Sequence, residues 1–134
     1  MILSRLKTED DVIAQIKAIA GVDVRACYQC GKCTAGCPLS ASMDLMPNQI
    51  VRLLQLGEHE QVLKSSTIWQ CASCLTCAAR CPKEVDPAKV MEALRTLLLR
   101  EGRARLAISE VPADVLREAP QQALIGGFRK YVGY

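Results

Sequence analysis

Residues Cys27-Tyr28-Gln29-Cys30-Gly31-Lys32-Cys33-Thr34-Ala35-Gly36-Cys37-Pro38 and Cys71-Ala72-Ser73-Cys74-Leu75-Thr76-Cys77-Ala78-Ala79-Arg80-Cys81-Pro82 are two copies of one pattern. Each copy holds three cysteines at intervals of three residues, then a fourth one step further on, with proline after it. The chain has eight cysteines, and the two copies use all of them. Three thiolates so spaced let a tight loop wrap three corners of a cube, provided the residues between them are short. This run holds cubane 4Fe-4S clusters, and its doubling predicts two 4Fe-4S clusters and one-electron chemistry.

The details of the loops follow from that geometry. Gly31 and Gly36 give the first loop residues free to take positive φ where the backbone approaches a cluster. The second loop has Ala72, Ser73, Thr76 and Ala78 instead, small but not glycine-rich. The fourth cysteine of each run is turned away by a proline that cannot continue the loop's hydrogen bonding. In two-cluster proteins with this run, the fourth cysteine ligates the other cluster. The expected ligands are therefore Cys27, Cys30, Cys33 and Cys81 for cluster I, and Cys71, Cys74, Cys77 and Cys37 for cluster II. Such crossing staples distant residues twice, so cluster binding is expected to contribute folding free energy directly.

Other uses of cysteine fit less well. Zinc sites take four cysteines, often as separated Cys-x2-Cys pairs, not triplets followed by Cys-Pro. A disulfide framework suits a secreted chain. Residues 1–20 lack the apolar core and small-residue cleavage site of a signal peptide, and carry Glu9, Asp10 and Asp11. A cytoplasmic location with reduced thiolates is the expectation.

At 134 residues the chain is expected to be one modest domain with a peripheral extension. Half of its residues are hydrophobic but only 4% aromatic, so its core must be built from Leu, Ile, Val and Ala. No apolar run approaches the roughly 20 residues that span a bilayer. Leu97-Leu98-Leu99, the best candidate, is bounded by Arg95 and Arg100, so no membrane span is expected in this chain. The formal charge of +3 does not argue for nucleic acid. Two oxidised cubanes with their thiolates bring the total to about −1. The basic residues are also dispersed, without a stripe or an aromatic platform. Lys32, Arg80 and Lys83 read as side chains that offset cluster charge or meet a redox partner, or simply as solvated ones.

Outside the loops the periodicity is helical. Thr8 with Asp11 resembles a capping pair, after which Val12, Ile13, Ile16 and Ile19 share a helix face that Gly21 ends. Pro47 opens a second helix with Ile50, Val51, Leu53 and Leu54 on its apolar face and Gly57 at its end. His59 to Lys64 form a third with Val62 and Leu63 inward, and Ser65, Ser66 and Thr67 break the pattern. Asp86-Pro87 is an N-cap followed by a first-turn proline. Val90, Met91, Leu94, Leu97 and Leu98 form the inner stripe of that helix, expected over 87–101, with Gly102 as its stop. The two halves thus repeat loosely: cluster run, proline, then a helix opened by another proline. In residues 103–134, Pro112 and Pro120 punctuate short helices and Gly126-Gly127 are expected to loosen the chain. Leu124, Ile125, Phe128, Tyr131 and Val132 are apolar, which suits a tail that docks on a partner.

Four strings go further. Ala26 through Pro38, Thr67-Ile68-Trp69-Gln70-Cys71, Asp86-Pro87, and Pro120-Gln121-Gln122-Ala123-Leu124 resemble the C subunit of heterodisulfide reductase. The resemblance runs from about residue 10 to the end and is most specific in the cluster loops. It implies an all-α, α-helical ferredoxin fold, which the reading above places over 1–102, with 103–134 expected from its own prolines and apolar side chains to be a C-terminal extension that docks on a partner. It also implies an electron relay with two partners, a flavin- and cluster-bearing subunit and a disulfide-reducing subunit with Cys-Cys-Gly-type motifs. The eight cysteines match as cluster ligands, and Tyr28 and Trp69 match as flanking residues.

The departures locate chemistry elsewhere. No Cys-Cys pair is present, and no Gly-x-Gly-x-x-Gly signature, so disulfide reduction and flavin binding are expected of partners and no catalytic residue is assigned here. His59, followed by Glu60 on a polar stretch, reads as a surface residue. The alternatives are the iron–sulfur subunit of another flavin-linked dehydrogenase, of succinate, glycerol-phosphate or glycolate type, and a free-standing ferredoxin. The aliphatic tail speaks against a diffusible carrier.

Overall fold

The computed structural model describes residues 9–133, in which α-helices and short 3-10 turns are the only regular elements. Thr8 of the expected capping pair lies outside the described residues. The all-α expectation holds. The chain forms two compact units, divided between Leu94 and Arg95.

The first unit begins with α1 (Glu9–Ala20), which buries Val12, Ile13 and Ile16. Gly21 ends it at φ 69°, its N–H bonded to the Lys17 carbonyl, a left-handed cap that glycine takes without a Cβ penalty. The first cysteine run then holds α2 (Lys32–Ala35), and α3 (Pro47–Gln55) follows. Proline suits the first turn of α3, where no N–H is needed. The Gln49 side chain reaches back to accept from the Met46 N–H at 2.8 Å. Ile50, Val51 and Leu54 are at most 1% exposed. Burial of each stabilises the unit by about 1.5–3 kcal/mol. Gly57 closes α3, and α4 (His59–Lys64) buries Val62 and Leu63. Residues expected to break the pattern instead start a one-turn helix, α5 (Thr67–Gln70), directly before Cys71.

The second run holds α6 (Thr76–Arg80) and leads to α7 (Pro87–Arg100). Asp86 caps α7 as expected, its Oδ1 accepting from the Lys89 N–H at 3.3 Å. Val90, Met91 and Leu94 are buried on its inner face. Within the first unit α2 packs on α6, while α3 packs on α2, on α4 and on the 3-10 turn Val24–Ala26. The two cysteine runs are therefore brought together by α2 and α6, with α3 as a shared support.

The second unit contains the end of α7, α8 (Ala113–Glu118) and α9 (Gln121–Tyr131). The Tyr131 carbonyl accepts from the Arg105 and Leu106 N–H groups at 2.8 and 3.1 Å, so the tail closes on its own connecting segment. Gly126 and Gly127 do not loosen the chain; both lie inside α9. Each weakens the helix by about 1 kcal/mol relative to alanine. The proline-led start of α9 and the tie at Tyr131 outweigh that local cost. No residue of α8 or α9 is fully buried, and Val115, Leu116 and Ile125 are exposed. Among the described residues no helix is long and apolar enough to cross a membrane.

Candidate metal centres

Two cavities lie in the first unit, and each is lined by four cysteines taken three from one run and one from the other. Cys27, Cys30, Cys33 and Cys81 line the first, of about 330 Å³ including its mouth. Cys37, Cys71, Cys74 and Cys77 line the second, of about 410 Å³ on the same measure. The packing of α2 on α6 produces this exchange, because each short helix carries the third cysteine of its run and ends just before the fourth. Pro87, at the start of α7, lines both cavities. Among the described residues no three of His, Cys, Asp or Glu converge on a single-ion position. Cubane clusters distribute four thiolates over four irons, and cavities with four thiols on their walls match that demand.

The loops achieve their shape with left-handed residues at matching positions. Gln29 and Gly31 have φ 63° and 75°; Ser73 and Leu75 have φ 54° and 61°. Gly31 fulfils the expected role of glycine, but Leu75 takes the same conformation with a full side chain and is 52% exposed. Gly36 has an ordinary helical backbone and a different use. A Cβ there would stand 2.6 Å from the Arg80 side chain, so glycine makes room for Arg80. Lys32 lines the first cavity, and Lys83 is exposed.

Electrostatics repeat across the runs. Cys30 and Cys74, the middle cysteines, are exposed. The Lys32 N–H and the Tyr28 hydroxyl draw the Cys30 thiol down, and the Thr76 hydroxyl and N–H do the same for Cys74. Burial pushes the Cys33 thiol up and drives Cys77 up to about 11. A half-buried thiol resists ionising alone, and the positive charge of bound iron is what makes thiolate formation there favourable. The donor set therefore fits an iron–sulfur group.

Two polar networks support the cavities. Asp44 Oδ1 accepts from the Thr67 and Ser65 hydroxyls, both at 2.7 Å, and from the Thr67 N–H at 3.0 Å; Oδ2 accepts from the Ser66 N–H at 3.2 Å. This carboxylate caps α5 from 23 residues away and so fixes the approach to Cys71. Burial opposes its ionisation, but the hydroxyls of Thr67 and Ser65 and the Ser66 N–H outweigh it and hold the carboxyl well below the usual range. In the first cavity, Gln29 Nε2 donates to Cys27 Sγ at 3.3 Å, and Asn48 lines the wall behind. Sequence reading missed Asp44, Gln29 and Asn48. The only local signal was an amide between two cysteines; the other two partners are distant in the chain. His59 Nδ1 stands 2.9 Å from the Gly57 carbonyl and lines neither cavity.

Comparison with known proteins agrees in kind. A family model described as a 4Fe-4S dicluster domain matches residues 23–85. The chain is 35% identical over 112 residues to the second iron-sulfur C subunit of CoB-CoM heterodisulfide reductase from Methanocaldococcus jannaschii, covering 81% of this chain and 60% of that one. It is 41% identical over 81 residues to the iron-sulfur C subunit of CoB-CoM heterodisulfide reductase from Methanopyrus kandleri, covering 60% of this chain and 42% of that one. A third relative, the C subunit of H(2):CoB-CoM heterodisulfide,ferredoxin reductase from Methanothermobacter marburgensis, is 30% identical over 103 residues, 77% of this chain and 56% of that one. The chain thus spans less than two thirds of the length of these relatives.

Proposed function

From a chain that is a homologue of the heterodisulfide reductase C subunit and carries a 4Fe-4S dicluster domain, we propose an electron-relay subunit holding two 4Fe-4S clusters. In this reading Cys27, Cys30, Cys33 and Cys81 hold one cluster, and Cys71, Cys74, Cys77 and Cys37 hold the other. The observation that carries it is the exchange of the fourth cysteine between the two cavities. A bound 4Fe-4S cluster supplies one-electron redox chemistry. The protein's own residues supply the sulfurs and bring both sites against Pro87. None of them is assigned to bond-making chemistry.

The partners in this reading are a flavin- and cluster-bearing subunit on one side and a disulfide-reducing subunit with Cys-Cys-Gly-type motifs on the other. The names of the relatives, subunits of heterodisulfide reductases, support the presence of partner subunits. The exposed Ile108, Val115, Leu116 and Ile125 of the second unit support a docking role for the tail. Anaerobic affinity purification from the native host, with subunits identified and iron, sulfide and flavin counted, tests the proposal. Recovery with a flavoprotein and a Cys-Cys-Gly subunit supports it. Recovery alone with rapid exchange among several reductases overturns it in favour of a free carrier, and recovery with a different dehydrogenase overturns the choice of complex.

A further inference from the structure

The first cavity contains a hydrogen-bonded series that ligation alone does not require. Asn48 sits in the first turn of α3 and Thr34 in α2, the two helices that pack on each other. Thr34 Oγ1 donates to Asn48 Oδ1 at 2.6 Å and accepts from the Asn48 N–H at 3.2 Å. With its oxygen committed to Thr34, the Asn48 amide turns its NH2 toward Gln29, whose Oε1 accepts at 3.5 Å. Gln29 is thereby left with its own NH2 facing Cys27 Sγ. Each amide has one oxygen and one NH2, so fixing the first fixes the second. Gln29 also holds a left-handed backbone, φ 63°, which glycine would adopt without strain.

The second cavity is walled differently. Where the first has Gln29, Lys32 and Asn48, the second has Leu39, Met43, Leu75 and Met91, with Thr76 as its polar member, its hydroxyl 3.4 Å from Cys74 Sγ; no amide or lysine lines it. A hydrogen bond to a ligand sulfur stabilises the added negative charge of a reduced cluster and raises its potential; an apolar wall does the opposite.

We propose that Gln29, oriented by Asn48 and Thr34, holds the reduction potential of the first site above that of the second and so decides where a single electron rests in this chain. Gln29 is a positioning residue toward Cys27 and takes no part in ligation. The inference rests on the two-cluster reading above, and its test separates the two. The full chain is purified anaerobically with its iron and sulfide and titrated reductively with detection by electron paramagnetic resonance. In the Gln29→Gly variant, chosen because glycine suits the backbone there, the higher of the two midpoints moves down while the lower stays, with iron content unchanged. The expected size is about a tenfold change in the distribution of one electron between the sites, about 59 mV for a one-electron couple. Asn48→Leu, similar in size, uncharged and unable to donate to Gln29, moves the same midpoint in the same direction. Unmoved midpoints, or movement of the lower one, overturn the inference. A parent chain that binds iron and sulfide for fewer than two clusters overturns the reading beneath it, whatever Gln29 does.

Discussion

The run from Cys27 to Cys37 and the run from Cys71 to Cys81 pass through left-handed geometry at the same two positions, yet share almost no residues between their cysteines. Gly31 meets that demand freely. Leu75 meets it at a cost of about 1–2 kcal/mol in Cβ crowding. The demand therefore comes from the spacing of the sulfurs and not from the glycine. What the side chains vary is the environment: an amide and a lysine at one cavity, leucine and methionine at the other. One backbone solution serves two electrostatic settings.

Exchange of the fourth cysteine is the sharpest point at which to break this comparison. Cys37→Ser is expected to lose the second site, with about four of eight irons, and to leave the site of its own run in place. Cys81→Ser should do the reverse. Iron analysis with cluster spectroscopy checks both, and loss of the cluster built on the mutated run would show that each run is self-contained.

Removal of the Asp44 cap tests whether the second loop depends on support that the first lacks. Asp44→Ala is expected to destabilise the protein by about 1 kcal/mol and to weaken iron retention at the second site first. The pH dependence has a definite sign. The folded carboxyl is depressed below an unfolded value near about 3.9. Its contribution is therefore complete above about pH 4 and is lost as the pH falls through the folded value. Urea melts of parent and Asp44→Asn protein should accordingly converge as the solution is acidified below pH ~4, and a difference independent of pH would exclude this role for the carboxylate.

Exchange of the left-handed residues gives the smallest effect. Gly31→Leu should cost about 1–2 kcal/mol while retaining both sets of iron, since a leucine, Leu75, holds the equivalent position of the other loop. Leu75→Gly should recover a similar amount, less what the freer unfolded chain takes back. Thermal melts of the loaded proteins with iron counts check both. If Gly31→Leu instead abolishes the first site, the two loops are not interchangeable in the way their φ angles indicate.

How much of this could be read from the chain depended on range. The cysteine frame, the proline-led starts of α3 and α7 and the glycine stops at residues 21, 57 and 102 are local features, and they were legible. Each is decided by one residue's own geometry. The cap on α5 was not legible, because Asp44 and Thr67 meet only after α3 and α4 have folded between them. The Gln29–Asn48 contact has the same character. Leu75 was passed over because its side chain argues against the conformation that its neighbours impose. Gly126 and Gly127 misled in the opposite sense, since their local preference is overruled by the helix around them.

Pro87 has a different kind of consequence. Among the described residues it is the one that borders both cavities, and as a first-turn proline it brings no amide proton to either. In circuit terms Gln29 trims the offset between two nodes, whereas residue 87 sets their common ground. Any other residue there would bring an N–H to the one position that touches both nodes.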